Sequence, residues 1–152
     1  MNTWILIAGV LVPLLGALLL PFIGNVSEKL RNGLALFFVA FGFLSSFLAL
    51  PAAISGNPLS FRVEVPLGLS FGLYADAMAI FMAMAATFVS FIIVLYSFGY
   101  IGHYPNQNEY YMMISLFIGA MLGLVYSTNL IAIYIFWEIS ALCCWRLIGF
   151  YR

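Results

Sequence analysis

Glu138 is the acidic residue of this sequence whose surroundings are least suited to a charge. It lies eight residues after Leu130 in an uncharged stretch, which places it about 12 Å along a helix that rises about 1.5 Å per residue. A carboxylate near the middle of a bilayer costs about 2.5–3.5 kcal/mol on insertion scales, so it normally faces a bundle interior or a water-filled cavity with a partner. Glu138 is therefore a candidate proton-translocation site. The alternative is that it only forms a hydrogen bond with a neighbouring helix.

Arg146 is the second candidate for a translocation site. It follows Glu138 by eight residues, which corresponds to about two turns and about 80° around a helix. Its guanidinium could face the same polar interior, or it could snorkel to the lipid headgroups, which is the favoured interpretation. His103 lies among Gly, Pro and Asn residues, so a solvated loop histidine is favoured over a proton relay. Asp76 precedes an apolar run and is best explained as a helix cap.

The sequence lacks the residue patterns of common catalytic and cofactor sites. Its two cysteines, Cys143 and Cys144, are adjacent, so they form no spaced ligand set for zinc or an iron–sulfur cluster. A phosphate-binding glycine loop and a plausible Ser/His/Asp combination are also absent. We therefore predict no catalytic, cofactor-binding or metal-binding residues. Five basic and five acidic residues balance, so nucleic acid is not an expected partner.

The composition predicts that lipid surrounds these candidate residues. Hydrophobic residues make up 66% of the chain and charged residues only 7%, whereas soluble domains are about 45–50% apolar and about 25% charged. A hydrocarbon core is crossed by about 20 apolar residues in a helix. Within one membrane domain, residues 1–152, the apolar runs predict helices at about 4–23, 33–53, 77–100, 110–126 and 130–151.

A short segment between the second and third runs has a different period. Apolar and polar residues alternate over 59–67, and the alternation continues after Gly68. A period of two is typical of a strand that is exposed on one face, so we predict a small β-hairpin at the membrane surface. Pro13 is expected to be tolerated inside the first helix. The predicted fold is an all-α polytopic membrane protein with five transmembrane helices and this hairpin.

The loop charges predict how the chain crosses the membrane. Lys29, Arg31 and Arg152 fall on one side and Arg62 on the other. Because basic residues favour the cytoplasmic side, we expect the N-terminus outside and the C-terminus in the cytoplasm of a multi-pass protein of the cell (inner) membrane. The first run is expected to be retained, because the first three residues lack the basic side chain of a signal peptide.

Several stretches resemble the antiporter-like membrane subunits. This family includes chain 5 (chain L) of respiratory complex I, the large subunit of Mrp cation/proton antiporters, and equivalents in energy-converting membrane-bound hydrogenases. The resemblance covers essentially the whole chain and is strongest from Asp76 onward. It is carried by residues 74–78, 116–125, Ser127, 129–130, 137–138, Leu142 and 147–151.

The resemblance implies a role for Glu138, which matches the family's fifth-helix glutamate after a tryptophan. In the family this glutamate pairs with a lysine on a broken seventh helix, and their changing interaction is thought to couple proton movement to a distant redox reaction. Family members have many more helices in two inverted repeats, so we expect this chain to be incomplete on its own, as a split subunit, a truncated product or a fragment. Arg146 departs from the family's uncharged residue, and an arginine near Glu138 could hold the glutamate ionised.

The expected function is therefore that of a membrane subunit in a multi-subunit, redox-driven proton or sodium pump. The alternative is a structural or assembly subunit, or a degenerate paralogue without transport activity; an independent small transporter is a weaker third possibility. We expect a non-catalytic subunit of an oxidoreductase complex that is similar to NADH-quinone oxidoreductase or a membrane-bound hydrogenase. Iron–sulfur clusters, nickel-iron or flavin are expected on partner subunits. The expected partners are other membrane subunits, including a chain that supplies the missing helices, and the lipid bilayer.

Overall fold

The computed structural model describes residues 3–65 and 69–150. In that part of the chain, five helices are long and apolar enough to cross a membrane, and a two-stranded antiparallel hairpin lies between the second and third. The predicted fold class is confirmed. Residues 1, 2, 66–68, 151 and 152 lie outside the described residues, and with them the predicted hairpin turn, the predicted end of the fifth helix and the Arg152 charge. The elements are α1 (Trp4–Gly24), α2 (Glu28–Ile54), β1 (Leu59–Val65), β2 (Leu69–Ala75), α3 (Ala77–Tyr100), α4 (Gln107–Tyr126) and α5 (Leu130–Ile148).

The second helix begins five residues earlier than the predicted start at residue 33. Ser27 caps it by accepting a hydrogen bond from the backbone N–H of Leu30, at 3.4 Å, and Glu28 stands in the first turn. A capping hydroxyl and an acidic residue both stabilise the positive end of a helix. The prediction that residues 28–32 precede the second helix is therefore wrong, because their charged side chains belong to its first turns.

Two other helix bounds also differ from the prediction. Helix α4 begins at Gln107 rather than at about residue 110, so its first turn contains polar side chains. Helix α5 ends at Ile148 rather than at residue 151, because the chain turns at Gly149, whose N–H donates to the carbonyl of Trp145 at 3.1 Å. The predicted cap at Asp76 is confirmed by a 2.7 Å hydrogen bond from the N–H of Ala79.

Helix α4 lies at the centre of the bundle. It packs against α1, α2, α3 and α5, whereas α5 packs mainly against α4. Gly119 permits a close approach of two helix backbones: a Cβ at this position would lie 2.8 Å from the backbone nitrogen of Leu14 in α1. Pro13 and Pro21 stand inside α1 without ending it, as the sequence predicted for Pro13.

The hairpin is fixed to the connection between α4 and α5. Strand β2 forms a bridge between Leu73 and Ser127, and the N–H of Thr128 donates to the carbonyl of Gly72 at 3.1 Å. We call the end of the bundle formed by β1, β2 and residues 127–129 the hairpin end. The opposite end holds the α1–α2 connection and the linker from α3 to α4, residues 101–106, and we call it the linker end.

Candidate functional site

The start of α5 is positioned by contacts at the hairpin end. The side chain of Asn129 accepts a hydrogen bond from the N–H of Ile131 at 2.9 Å and so caps the helix. The same side chain donates to the carbonyl of Ser70 in β2 at 2.9 Å. One asparagine therefore joins the helix N-terminus to the hairpin and fixes the direction in which α5 begins.

The inner face of α5 is the one that contacts α4. Ala132, Ser140 and Cys143 are buried, and the ring of Phe136 occupies the space beside Gly123, where a Cβ would lie 2.5 Å from it. Successive residues of a helix are about 100° apart. Relative to this buried face, Glu138 is rotated by about 160°, so it lies on the outer side of α5.

Glu138 is exposed on this outer face. Large exposed side chains surround it, and Tyr134, one turn earlier, interacts with its carboxyl group. We call this surface the outer face of α5. Glu138 thus does not face the interior of these five helices, and its role in translocation remains a prediction. The other members of the face, with their exposed fractions, are Tyr134 (64%), Trp137 (62%), Leu142 (62%) and Trp145 (71%).

Helix α4 offers no polar partner at the level of Glu138. The two helices run antiparallel, with Glu109 beside Arg146 and Gly123 beside Phe136. This register brings residues 117–121 of α4 to the level of Glu138, and all of them are apolar or glycine. Among residues 3–65 and 69–150, the carboxylate of Glu138 forms no ion pair.

Arg146 is engaged elsewhere. Its Nε donates to the carboxylate of Glu109, in the first turn of α4, and the two side chains are 45% and 29% exposed. This ion pair lies at the linker end of the bundle. The structure therefore separates the two predicted site residues: Glu138 stands halfway along α5, and Arg146 is bound near the end of the helix. Participation of Arg146 in translocation stays a prediction.

A buried cluster surrounds Arg31 and was not predicted from the sequence; we call it the amide cluster. The Arg31 side chain is only 2% exposed. Its guanidinium donates to Asn108 Oδ1 at 2.5 Å, to Gln107 Oε1 at 2.6 Å and to Asn32 Oδ1 at 2.9 and 3.1 Å. The guanidinium carbon also lies 5.0 Å from the centroid of the Tyr111 ring. The cluster therefore joins the first turn of α2 to the first two turns of α4.

Neutral groups satisfy this buried charge. Amide oxygens accept its hydrogen bonds, and the aromatic face adds a cation–π contact. Buried charges are costly unless they are paired and hydrogen-bonded, so the amides are essential to the arrangement. This cluster is only weakly indicated by local sequence, because a run with Glu28, Lys29 and Arg31 is typical of a solvated loop. The capping pattern at Ser27 was the sign that the run is helical.

The remaining chemistry-bearing residues are dispersed. Within the described ranges, no three His, Cys, Asp or Glu side chains are grouped so that they could hold a metal ion. Cys143 is buried and Cys144 is exposed. His103 is exposed in the 3₁₀ turn Ile101–His103, which agrees with the loop histidine favoured from the sequence.

Comparisons with known proteins agree on one family. Residues 63–111 match the model of the family described as NADH-ubiquinone oxidoreductase (complex I), chain 5 N-terminus. The chain is 34% identical over 146 residues to Na(+)/H(+) antiporter subunit A1 of Staphylococcus haemolyticus. The aligned region covers 94% of this chain and 18% of the relative. It is 32% identical over 152 residues to NAD(P)H-quinone oxidoreductase chain 5 of a Picosynechococcus species, covering 92% of this chain and 23% of the relative. This chain belongs to the antiporter-like membrane subunit family.

The fold of this antiporter-like chain is also found in a solved structure. A chain of the membrane-bound sulfane sulfur reductase, an archaeal respiratory membrane complex, superposes with a TM-score of 0.80 over 91% of this chain and 28% of that chain, at 20% sequence identity. This likeness concerns the fold. The antiporter-like chain spans about a fifth of the length of the curated relatives named above, at 18% and 23% of each. The family predicted from the sequence motifs is confirmed.

Proposed function

We propose that this chain is a membrane subunit of a multi-subunit, redox-driven complex that moves protons or sodium ions, and that Glu138 binds the transported proton or couples its charge to transport. The family supports the general role, because its named relatives include antiporter and quinone oxidoreductase subunits. The proposed role of Glu138 rests on its exposed position halfway along α5.

The observation that carries the proposal is the outward carboxyl of Glu138. Its helix is apolar enough to cross a membrane, and the carboxyl is exposed halfway along it. A carboxylate that faces lipid at this depth costs about 2.5–3.5 kcal/mol. Covering the outer face of α5 with protein or water removes that cost. In this proposal the cover is another membrane chain or segment that supplies a cationic partner for Glu138.

Electron transfer is assigned to other subunits in this proposal. Iron–sulfur clusters, nickel-iron or flavin would be held by partner subunits, and this chain would contribute no catalytic residue. Purification of the native assembly in mild detergent, followed by mass spectrometry of every co-purifying chain, tests this part. We expect redox subunits and a chain or segment that carries the further family helices. Recovery of this chain alone, or only with copies of itself, would contradict the proposal.

The proposal includes an orientation with the hairpin end outside and the linker end in the cytoplasm. The exposed Lys29 and the exposed Arg62 belong to opposite ends of the bundle, which makes them a matched pair of probes. In intact cells, a membrane-impermeant maleimide should modify the R62C variant, and the K29C variant only after permeabilisation. The native Cys144 is exposed on α5 and is removed in both backgrounds. The opposite labelling pattern would overturn the orientation.

The direct test of the function is Glu138→Gln in the native complex. This change keeps the size of the side chain and removes its titratable charge, so coupled ion transport into vesicles should fall at least tenfold while the complex assembles normally. Glu64→Gln is the matched control, because Glu64 is exposed on β1 at the hairpin end, and transport should be unchanged. Normal transport with Glu138→Gln would eliminate this role for Glu138.

The second candidate function is a structural or assembly subunit without transport. The observation that favours it is the ion pair between Arg146 and Glu109 at the surface of the bundle. This ion pair joins α4 to α5, which is a structural role. Under this alternative, Glu138→Gln leaves transport intact, whereas bulky substitutions on the outer face of α5 reduce the amount of assembled complex. The two candidate functions therefore differ in the same vesicle assay.

A further inference from the structure

Pro21 interrupts the backbone hydrogen bonding of α1. It stands inside the helix, and a proline has no backbone N–H to donate. The carbonyl of Ala17, four residues earlier, therefore lacks the donor that a regular helix supplies. Ala17 is 0% exposed, so bulk water does not reach this carbonyl. In membrane helices, a carbonyl freed by proline is satisfied by a neighbouring helix, by a serine or threonine side chain, or by an ordered water.

Ser115 on α4 has a buried hydroxyl that lacks a partner. The residue is 0% exposed, and within the described part of the chain its Oγ forms no hydrogen bond. The buried hydroxyls of Ser46, Thr87 and Ser97 each donate to a carbonyl of their own helix. Buried polar groups are normally hydrogen-bonded. Ser115 differs from these three residues, which points to a partner outside α4.

The packing of α1 against α4 brings Ser115 close to the level of the freed carbonyl. The two helices run antiparallel, because Leu14 lies beside Gly119 and Gly24 lies beside Asn108. Ser115 precedes Gly119 by four residues, which correspond to about 6 Å along the helix axis. Its level in α1 is therefore about one turn beyond Leu14, toward the linker end.

The carbonyl of Ala17 lies at this level and on the side of α1 that faces α4. Helix carbonyls point toward the C-terminus of their helix, so the oxygen of Ala17 lies beyond its own Cα and close to one turn from Leu14. Ala17 and Leu14 are about 60° apart around α1, and Ser115 and Gly119 are about 40° apart around α4. Both groups thus lie at the contact between the two helices.

We propose that a single water molecule binds between α1 and α4 and bridges Ser115 Oγ to the carbonyl oxygen of Ala17. The hydroxyl of Ser115 donates to the water, and the water donates to the carbonyl. Ser115 makes no direct hydrogen bond, so a bridging molecule satisfies both groups at once. Buried waters in proteins bind polar groups that otherwise lack partners. This site is independent of the proposed role of Glu138.

A density map of the native complex at a resolution that shows ordered waters tests the site directly. We expect density for one water at about 2.7–3.2 Å from both Ser115 Oγ and the Ala17 oxygen. A map without this water would overturn the inference. A hydroxyl that instead donates directly to Ala17, or to the carbonyl of Tyr111 in its own helix, would also overturn it.

Thermal unfolding of the full chain in detergent tests whether Ser115 acts through the carbonyl that Pro21 frees. In Pro21→Ala, the new backbone N–H can donate to the carbonyl of Ala17, so the water is no longer required. We expect Ser115→Ala to lower the unfolding midpoint by about 2–4 °C in the native background and by less than about 1 °C in the Pro21→Ala background. An equal loss in the two backgrounds would contradict the site.

Pro13→Ala is the matched control for this comparison. Pro13 also stands inside α1, but the carbonyl it frees belongs to Gly9, about 12 Å from Ala17 along the helix. Ser115→Ala should therefore retain its full effect in the Pro13→Ala background. If Pro13→Ala suppresses the effect as strongly as Pro21→Ala does, a general change in α1 is responsible, and the assignment of Ser115 to the carbonyl of Ala17 fails.

Discussion

Helices α4 and α5 are similar in hydropathy but have different surroundings in the bundle. In the most apolar stretch of α4, 56% of the residues are buried, compared with 17% in α5. Helix α4 carries glycines where its neighbours come closest, whereas α5 carries Trp137, Glu138 and Trp145 on a face that no described element covers. Small residues are typical of helix contacts within membranes. Hydropathy therefore identifies a membrane helix, while side-chain size and isolated charges indicate what covers each of its faces.

The largest expected effect follows from overfilling the contact between α4 and α1. In Gly119→Leu, the new side chain would meet the backbone of Leu14, since even a Cβ lies 2.8 Å from its nitrogen and 2.9 Å from its Cα. Overpacking costs about 1–3 kcal/mol and sometimes more, and we expect at least the upper value here. Thermal unfolding of the detergent-solubilised protein measures the loss.

Gly99→Leu in α3 is the matched control for that change. A Cβ at Gly99 meets no atom within 4 Å, so the substitution should be neutral or should stabilise the helix by about 0.5–1 kcal/mol through helix propensity. Equal destabilisation by the two substitutions would show that the close approach of α1 and α4 does not matter.

Removing the guanidinium of the amide cluster should have the next largest effect. Arg31→Ala deletes hydrogen bonds to three amide side chains, and a hydrogen bond to a charged group contributes about 1.5–3 kcal/mol. Because Gln107 and Asn108 retain some access to solvent, we expect a total loss of about 1.5–3 kcal/mol in the free energy of unfolding. Lys29→Ala, at an exposed position of the same turn, should leave unfolding unchanged. If both variants unfold alike, the amide cluster does not stabilise the bundle.

A smaller loss is expected at the hairpin end of α4. The buried hydroxyl of Tyr126 donates to Ser46 Oγ at 2.9 Å, and Ser46 itself donates to the carbonyl of Gly42 at 3.0 Å. Because Ser46 keeps that second bond, Tyr126→Phe should reduce the free energy of unfolding by about 0.5–1.5 kcal/mol. Tyr96→Phe, at a position that is 75% exposed, is the control. A larger loss at Tyr96 would contradict the assignment of α4 as the buried helix.

The smallest effect on the chain itself should come from the outer face of α5. Trp145 is 71% exposed, so Trp145→Ala should leave the unfolding of the isolated chain unchanged within measurement error. In the native complex, the same variant should weaken retention of this chain during detergent purification, because the outer face is where a partner would pack. Destabilisation of the isolated chain comparable to that of Tyr126→Phe would mean that the face is already covered by this chain.

The sequence was sufficient to predict the membrane helices and the hairpin. Long uncharged runs marked the helices, and alternation over 59–65 marked the first strand. The start of α2 was missed because the charges at Glu28, Lys29 and Arg31 dominated the interpretation, although Ser27 is a good capping residue. A buried arginine satisfied by distant amides depends on tertiary contacts that no local pattern encodes.

The candidate site was predicted less completely. The depth of Glu138 followed from simple counting along the helix, and its charge in an otherwise uncharged stretch singled it out. The family resemblance then implied its role. Its direction could not be predicted, because α5 is apolar on nearly all sides and such a helix has no periodic pattern that identifies the buried face. Similarly, the partner of Arg146 lies 37 residues away in the sequence, so only the antiparallel register of α4 and α5 brings the two together.

The attachment of the hairpin to the α4–α5 connection has a consequence for biogenesis. Strand β2 is synthesised well before Ser127 and Thr128. The edge of β2 that does not pair with β1 therefore has no partner from the α4–α5 connection until α4 has been inserted. An open strand edge is prone to pair with other chains. The bridge from Leu73 to Ser127 and the bond from Thr128 to Gly72 close this edge once α4 has crossed the membrane. Correct insertion of α4 therefore protects the hairpin, and a stalled or inverted α4 would leave this strand edge open to pairing with other chains.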